Sequence, residues 1–280
     1  MGITANEFEY LRQLVYQQSS VALGADKSYL ADLRLPAIAA AAGFDSVASL
    51  VAELKARPVD HLHTRVVETL VTYETSFFRD AHPFEALRTK VLPDLIQRRS
   101  QEKSLTIWCA ACSTGQEPYS IAMLLDQQFP QLASWTLHLI ASDFSNRALT
   151  YARQGWYNQI EIQRGLSDEL RQTYFYQYGN AWQIKDSLRQ KVEFRQINLI
   201  HAWTPLPRMD VIFLRNVLIY FNTDTRKTVL TKIGQYLKPD GYLFLGGSET
   251  AINLDESFKP ISIHKSIFYR LSSALRERDY

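Results

Sequence analysis

Apolar residues recur at helical spacing through the first 75 residues, which contain no convincing strand. The sequence TANE at residues 4–7 has the form of a capping box, and Phe8, Leu11 and Val15 follow on one helical face. Further helical patterns lie near residues 28–33, 47–56 and 61–70, separated by Pro36, Gly43 and Pro58. We therefore predict an all-helical N-terminal domain over residues 1–75, with one more helix over residues 82–99 leading into the rest of the chain.

Short apolar strands alternate with helices from Leu105 onward, a pattern typical of a parallel sheet covered on both faces. The predicted strands are Leu105–Ala110, Leu137–Ser142, Val192–Arg195, Val211–Leu214 and Tyr242–Leu245. The predicted helices are Pro118–Gln128, Asn146–Arg153 and Asp224–Leu237, the last closed by KPDG at residues 238–241. The polar, tyrosine-rich stretch over residues 170–194 has a turn at Gly179 and indicates a small antiparallel β subdomain. The fold class is thus α/β, with a Rossmann-like domain over residues 76–280.

Composition excludes several classes of protein. The chain has 280 residues, of which 46% are hydrophobic and 21% charged, so it can bury a large core and is neither disordered nor fibrous. A net charge of +2 gives little attraction to nucleic acid. There is no secretion signal and no run of about 18 uncharged apolar residues. We expect a cytoplasmic protein without membrane insertion.

A small-residue turn, WCAACSTGQEPY at residues 108–119, joins an apolar strand to an apolar helix. Such turns bind nucleoside ligands at the carboxyl ends of strands in α/β folds. This one lacks both a Gly-Lys-Ser/Thr ending and a Gly-x-Gly, so a nucleoside cofactor without phosphates is the better candidate. Asp143 ends the next strand, where its carboxylate could accept both ribose hydroxyl protons. Asp143 could instead cap the helix after Ser145.

The only two cysteines, Cys109 and Cys112, form one Cys-x-x-Cys in this turn. Such a pair suggests a redox centre or half of a zinc site. One pair supplies only two metal ligands, and no second pair or His-x-x-x-His follows. We interpret both cysteines as small packing residues and expect no metal, with a redox role as the alternative.

Two further segments combine apolar and polar residues in unusual ways. In ETSFFRD, residues 74–80, two adjacent aromatic residues stand beside Arg79, which taken alone would be a surface ion-pairing residue. The second segment is DVIFLRNVLIY, residues 210–220. Its Arg215 and Asn216 interrupt an apolar strand where the strand should end at the ligand crevice. Buried polar residues need partners, so these two indicate a site.

These motifs resemble, in order along nearly the whole chain, the chemotaxis receptor methyltransferases of the CheR type. The matching segments are ETSFFRD (74–80), WCAACSTGQEPYS (108–120), ASDF (141–144), NL (198–199), FLRNVLIYF (213–221) and GGSE (246–249). The resemblance implies a class I methyltransferase domain that uses S-adenosylmethionine. It also implies an enzyme that methylates glutamate side chains on the cytoplasmic helices of chemoreceptors, leaving S-adenosylhomocysteine.

The resemblance also implies the site residues. The family's cofactor contacts fall on Thr75, Arg79, Glu117, Asp143, Asn198, Leu199, Arg215 and Asn216. Arg79 and Tyr220 would lie near the methyl group and orient the acceptor. Tyr73 replaces the family's asparagine, and its ring could attract the sulfonium by a cation–π interaction.

This chain departs from the family pattern in two places. The second N-terminal helix, which is strongly basic in many members, keeps only Lys27 and Arg34 between residues 26 and 43. Residues 1–75 hold six basic and nine acidic residues, a net charge of −3, so electrostatic steering to acidic receptor helices should be weak. The β subdomain is short, which predicts activity without a tether to the receptor's C-terminal peptide. We expect a monomer.

Two other functions remain open from sequence. A small-molecule methyltransferase on the same sheet would need a closed acceptor pocket instead of an open groove. A non-catalytic sensor of S-adenosylmethionine would not need Arg79 and Tyr220, both of which this chain retains.

Overall fold

The computed structural model describes residues 2–203, 205–263 and 266–272. These residues form two compact units. The first comprises the chain up to Tyr73 together with the segment Tyr220–Thr225, and the second comprises the other described residues.

The helices of the first unit are α1 (Ala5–Ser19), α2 (Ser28–Ala41), α3 (Val47–Ala56) and α4 (His61–Leu70), with a short 3-10 turn at Ala25–Lys27. The predicted capping box is present, since the Thr4 side chain accepts from the Glu7 N–H and the Glu7 side chain accepts from the Thr4 N–H. The prediction that a helix ends before Pro36 is wrong. Helix α2 runs through the proline, because the buried Leu35 and Ala39 on either side keep it on the apolar core.

The second unit holds ten strands and most of the remaining helices. The strands are β1 (Ser104–Ala110), β2 (Thr136–Asp143), β3 (Trp156–Asn158), β4 (Phe175–Tyr178), β5 (Ala181–Ile184), β6 (Val192–Gln196), β7 (Met209–Leu214), β8 (Leu237–Leu245), β9 (Phe258–Ile263) and β10 (Ser266–Leu271). The helices are α5 (Ala81–Ala86), α6 (Leu92–Arg98), α7 (Gln116–Gln128), α8 (Asn146–Gln154), α9 (Gln159–Gln163), α10 (Asp168–Tyr174), α11 (Asp186–Arg189) and α12 (Thr223–Tyr236), of which α12 begins within the segment assigned to the first unit.

Seven strands form the main sheet, in the order β6-β2-β1-β7-β8-β10-β9. Strands β6, β2, β1, β7 and β8 are parallel, and β10 is antiparallel to both of its neighbours. Cys109 of β1 pairs with Ala141 of β2 on one side and with Phe213 of β7 on the other. The strand order reverses between β1 and β7, and in open α/β sheets this switch point opens a ligand crevice at the carboxyl ends of the strands.

The five strands predicted from sequence all lie in the main sheet, which confirms the α/β fold. One local prediction is wrong: helix α12 ends at Tyr236, and the KPDG segment that was expected to close it lies within β8. The predicted helix over residues 82–99 is confirmed as a continuous helical run over residues 81–98, which contains a π-helical turn, Leu87–Val91. Pro93 explains this turn, because it lacks the N–H that an α-helix would bond to residue 89.

The predicted antiparallel excursion is confirmed as a three-stranded sheet in the order β3-β5-β4. Its strand β3 comes from Trp156–Asn158, outside the stretch identified from sequence. The fully buried Phe77 lies against this part of the unit, with its ring edge-on to Tyr157 at 5.0 Å and to Phe175 at 5.6 Å.

A buried ion cluster, which we call the Asp210 cluster, lies near the amino end of β7. The fully buried carboxylate of Asp210 accepts from the Thr106 N–H (2.9 Å), Arg99 Nε (2.8 Å) and Lys238 Nζ (2.9 Å). The Arg99 guanidinium also donates to Asp240 at 2.6 and 2.9 Å. Burial raises the pKa of Asp240, but hydrogen bonds and charges from Arg99 and its neighbour Arg98 outweigh it and lower that pKa to about 2.

No helix in the described part of the chain is long and apolar enough to cross a membrane.

Candidate active site

The turn between β1 and α7 opens the crevice at the switch point. Ala111, Ser113 and Gly115 all have positive φ (57°, 52° and 95°), so the chain leaves the strand in a tight left-handed path. At Gly115 a side chain is excluded in addition, because a Cβ would lie 2.8 Å from the Cβ of Ala152. The Cys112 N–H donates to the carbonyl oxygen of Ser142 in β2 at 2.8 Å. The turn is thereby fixed to the end of the neighbouring strand.

Asp143 completes this connection with its side chain. One carboxylate oxygen accepts from the Ser113 N–H at 2.9 Å and the other from the Ser145 N–H at 3.0 Å. The side chain of Ser145 caps α8 by accepting from the Ala148 N–H, so the alternative of Asp143 as the helix cap is wrong. Asp143 is 5% exposed and lies at the carboxyl end of β2, beside the turn.

Arg215, immediately after β7, is the centre of the polar contacts in the crevice. Its side chain is 1% exposed and donates to Glu117 Oε2 at 2.8 Å, to Asp80 Oδ2 at 2.9 Å and to the carbonyl oxygen of Arg79 at 2.9 Å. One guanidinium thus joins three parts of the chain: the end of β7, the first turn of α7 and the segment before α5. Burying a charged group is costly unless it is paired, and here Nη1 and Nη2 are hydrogen-bonded while Nε is buried without a hydrogen-bond partner among the described residues.

Glu117 is the buried acid of this group. Burial raises its pKa, and the nearby Glu249 carboxylate adds to that effect, while the charge and hydrogen bond of Arg215 oppose it. Arg79 also lies close enough to lower the pKa of Glu117 by its charge. The crevice therefore places two cationic side chains beside a buried carboxyl group.

Segment 74–80, which includes Thr75 and Arg79, follows a strained path. Phe78 and Asp80 both have positive φ, 47° and 56°, which is uncommon for residues other than glycine. The Phe78 N–H donates to Ser120 Oγ of α7 at 2.9 Å. Arg79 donates to the carbonyl oxygen of Glu74 at 2.8 Å and not to a carboxylate, so the structure does not bear out the surface ion pair. Thr75 is half-buried in the same segment.

Asn198 and Leu199 follow β6, at the far side of β2. The Ile197 N–H donates to the carbonyl oxygen of Asp143 at 3.0 Å, which joins their loop to the end of β2. The side-chain oxygen of Asn198 accepts from the Ile200 N–H at 3.2 Å. Leu199 is buried, and its carbonyl oxygen accepts from Lys232 Nζ at 2.9 Å.

Asn216 follows Arg215 in a left-handed conformation, with φ of 58°. Its N–H donates to the carboxylate of Glu249 at 2.7 Å. Sequence reasoning placed Asp80 and Glu249 in family motifs but assigned a role to neither. A signal for Glu249 was present, since GGS directly after an apolar strand marks a turn at the same edge of the sheet.

Two residues implied by the resemblance, Tyr73 and Tyr220, belong to the first unit. Tyr220 ends a short 3-10 turn, and its carbonyl oxygen accepts from the Ala22 N–H at 3.2 Å. Tyr73 lies beyond the end of α4, is the last residue of the N-terminal segment of that unit and is half-buried.

Cys109 and Cys112 are both buried and free, with no disulfide between them. Burial raises the pKa of each thiol well above its usual value. Because the thiolate is the reactive form, burial with a raised pKa disfavours reaction of either thiol. Within residues 2–203, 205–263 and 266–272, no group of three or more His, Cys, Asp or Glu side chains could hold a metal ion.

The parallel sheet with its switch point, the tight turn after β1 and the small antiparallel sheet define a Rossmann-like methyltransferase fold. Residues 73–267 match the family described as CheR methyltransferase, SAM binding domain. Chemotaxis protein methyltransferase Cher2 of Pseudomonas putida is 39% identical over 269 residues, covering 94% of this chain and 97% of that protein. Chemotaxis protein methyltransferase 1 of Pseudomonas aeruginosa is 38% identical over 275 residues, covering 96% and 99%. The chain belongs to the CheR family of S-adenosylmethionine-dependent methyltransferases.

The chemistry of the crevice fits this cofactor. S-adenosylmethionine carries a ribose diol at its centre and an amino acid with both charges at one end. Asp143 provides a carboxylate at the end of β2, and Glu117 and Arg215 provide both signs of charge nearby on the switch-point side. The left-handed turn from residue 111 to residue 115 brings backbone close to the same place.

Proposed function

We propose that this protein transfers a methyl group from S-adenosylmethionine to glutamate side chains of chemoreceptors, producing glutamate methyl esters. The observation that carries the proposal is the contact of Arg215 with both Glu117 and the carbonyl of Arg79. This contact ties a cofactor-type crevice to the cationic residue that a carboxylate acceptor needs. The names of the relatives, chemotaxis protein methyltransferases, support the same substrate class.

The residues proposed to hold the cofactor are Thr75, Arg79, Glu117, Asp143, Asn198, Leu199, Arg215 and Asn216. Asp143 would accept the ribose hydroxyl protons, since each carboxylate oxygen can accept more than one hydrogen bond. Glu117 would face the cofactor's ammonium group. The charge and hydrogen bond of Arg215 oppose the pKa-raising effect of burial on this carboxyl group, although the pKa of Glu117 remains raised overall.

When bound, the cofactor supplies a methyl group already activated on a sulfonium. The protein therefore has only to bring the acceptor oxygen into line, at about 3–3.5 Å. A free glutamate has a pKa of about 4.3 and is ionised at neutral pH, so no general base is required. We assign Arg79 to orient the acceptor carboxylate by charge and Tyr220 to orient it by a hydroxyl hydrogen bond.

The assignment of Arg79 is tested by transfer of radiolabelled methyl to receptor-containing membranes, followed by alkali treatment and capture of volatile methanol. Arg79→Ala should lose about 2–4 kcal/mol of transition-state stabilisation, the scale of one preorganised donor. Tyr220→Phe should lose less, because the ring remains. Arg88→Ala is the matched control, since Arg88 pairs with Glu85 on the exposed surface. Unchanged turnover of Arg79→Ala at saturating cofactor and receptor would contradict the assignment.

We further propose that activity does not depend on a tether at the receptor's C-terminus. Strand β4, at one edge of the small sheet, has only four residues. A peptide added there would form few backbone hydrogen bonds. Receptors with and without their last few residues should be methylated at equal rates, and a large drop for the truncated receptor would refute this part of the proposal.

Docking on the receptor helices should depend little on charge. The first 75 residues have a net charge of −3, so long-range attraction to an acidic surface is absent from this part of the chain. The rate of methylation should therefore change little between low and moderate salt, and a steep fall would contradict the proposal.

We propose that the protein is cytoplasmic and acts as a monomer. Light scattering of the purified protein tests its oligomeric state.

A further inference from the structure

The carboxylate of Glu249 gathers four backbone N–H groups. Its Oε2 accepts from Asn216 and Gly246, both at 2.7 Å, and its Oε1 accepts from Val217 at 2.9 Å and from Ile219 at 3.2 Å. Asn216 and Val217 lie in the loop that follows β7, Ile219 lies in the 3-10 turn just after that loop, and Gly246 lies in the loop that follows β8. One side chain thus joins the ends of two adjacent strands at the crevice.

The loop after β7 needs this acceptor. Residues 216 and 217 lie outside any helix or strand, and both of their N–H groups donate to this carboxylate. Asn216 also turns the chain with a positive φ of 58°, a conformation that must be held by its surroundings. An ionised carboxylate forms stronger hydrogen bonds than a neutral acceptor and can satisfy several converging N–H groups.

The chain approaches this carboxylate so closely that only glycine fits at position 246. A Cβ on Gly246 would lie 2.6 Å from Glu249 Oε2, 2.8 Å from Asn216 Nδ2 and 2.9 Å from Asn216 N. Gly246 has no positive φ, so an alanine there is excluded by contact and not by backbone conformation. The next residue, Gly247, has nothing within 4 Å of the corresponding position. Gly247→Ala is therefore a matched control for Gly246→Ala.

We propose that Glu249 is a positioning residue for methyl transfer. It orients the peptide groups of Asn216 and Val217 and thereby fixes the direction in which Arg215 and Asn216 leave the end of β7. The effect on turnover rests on the proposed function, but the effect on cofactor binding does not require a receptor.

Glu249→Gln is the sharpest single change, because it keeps the size and shape of the side chain. An amide has one acceptor oxygen and a donating NH₂ group. In either orientation of the amide, its NH₂ group replaces an oxygen that accepts from two backbone N–H groups, and these two donors lose their acceptor. The variant should weaken binding of S-adenosylhomocysteine about tenfold or more, measured by calorimetry, since hydrogen bonds to charged groups contribute more than neutral ones. Glu249→Asp keeps the charge and should recover part of the affinity.

The second comparison is Gly246→Ala against Gly247→Ala, assayed in the same way. Gly246→Ala should weaken binding as Glu249→Gln does, and Gly247→Ala should bind as the unaltered protein does. A merely structural role would lower the melting temperature while leaving the affinity of the folded protein unchanged. Unaltered affinity in folded Glu249→Gln and Gly246→Ala would therefore overturn the proposal.

Amide hydrogen exchange tests the same proposal without any variant. In the unaltered protein the amides of Asn216 and Val217 should exchange much more slowly than those of the exposed Gly247 and Ser248, although all four lie outside helices and strands. Equal, fast exchange would contradict the proposal. Failure of the proposed function has a different signature: normal cofactor binding and slow exchange, but no methyl transfer to receptors.

Discussion

Replacing Gly165 by alanine should disturb the crevice from a distance. A Cβ at this position would overlap the carbonyl oxygen of Phe77 and lie 2.9 Å from its carbonyl carbon. Phe77 is fully buried and held edge-on by two aromatic rings, so its backbone cannot move without repacking the core. The displaced segment carries Arg79 two residues later.

Gly179 is the matched control for this change. Both glycines have positive φ, +100° at Gly165 and +60° at Gly179, so alanine meets backbone strain of about 1–2 kcal/mol at either position. Nothing lies within 4 Å of a Cβ at Gly179. Gly165→Ala should add about 1–3 kcal/mol of overpacking and so destabilise the second unit by about 2–5 kcal/mol in total.

The assay compares thermal unfolding and methyl transfer for both variants. A shift of about 1 Å in a substrate-positioning residue can lower a rate about a hundredfold. Gly165→Ala should therefore lose about that factor in kcat/KM at a temperature where it stays folded, while Gly179→Ala keeps near-normal activity. Equal melting temperatures and equal activities for the two variants would refute the reasoning.

Three further predictions concern stability, pH and the cysteines. Asp210→Asn should cost about 3–5 kcal/mol in urea unfolding because it removes the fully buried negative charge that Arg99 and Lys238 share, whereas Asp186→Asn in an exposed ion pair should cost at most about 1 kcal/mol. The pKa of Asp240 is about 2 in the folded protein against about 3.9 unfolded, so its contribution to stability is present above about pH 4 and lost as the pH falls towards 2. In Asp240→Asn the melting temperature should fall less steeply over that window, and an unchanged slope would count against the ion pairing. Replacing Cys109 and Cys112 together by alanine should leave methyl transfer intact, and native thiols should react with a thiol reagent only on unfolding; prompt labelling would contradict their inertness.

The sequence was most informative where one local rule decides the structure. Mostly apolar runs such as Leu105–Ala110 favour central strands, and the small residues after them favour a turn. Strands β9 and β10 were missed. Strand β9 in particular has mostly exposed or half-buried positions at the edge of the sheet and gives no continuous apolar signal. Pro36 misled the prediction of α2, because burial on both sides outweighs one lost hydrogen bond.

The contacts of the crevice could not be read from sequence, because they join distant parts of the chain. Arg215 contacts the carbonyl of Arg79 across a separation of 136 residues and Glu117 across 98. The sequence marked Arg79 and Arg215 as polar residues in apolar settings, and the family resemblance implied Glu117, but neither could say which of the three would meet. Glu249 was harder still, since it contacts backbone N–H groups, which any residue type would present.

The central claim is that the methyl group reaches glutamate side chains of a chemoreceptor. The most direct test is mass spectrometry of receptor peptides after incubation with the protein and S-adenosylmethionine, with Arg79→Ala and Arg88→Ala in parallel. We expect methyl esters on glutamate that are lost on mild alkali treatment, that are absent or strongly reduced with Arg79→Ala and that are normal with Arg88→Ala. Cofactor binding without any methylated glutamate, or methyl groups that survive alkali on another residue type, would contradict it.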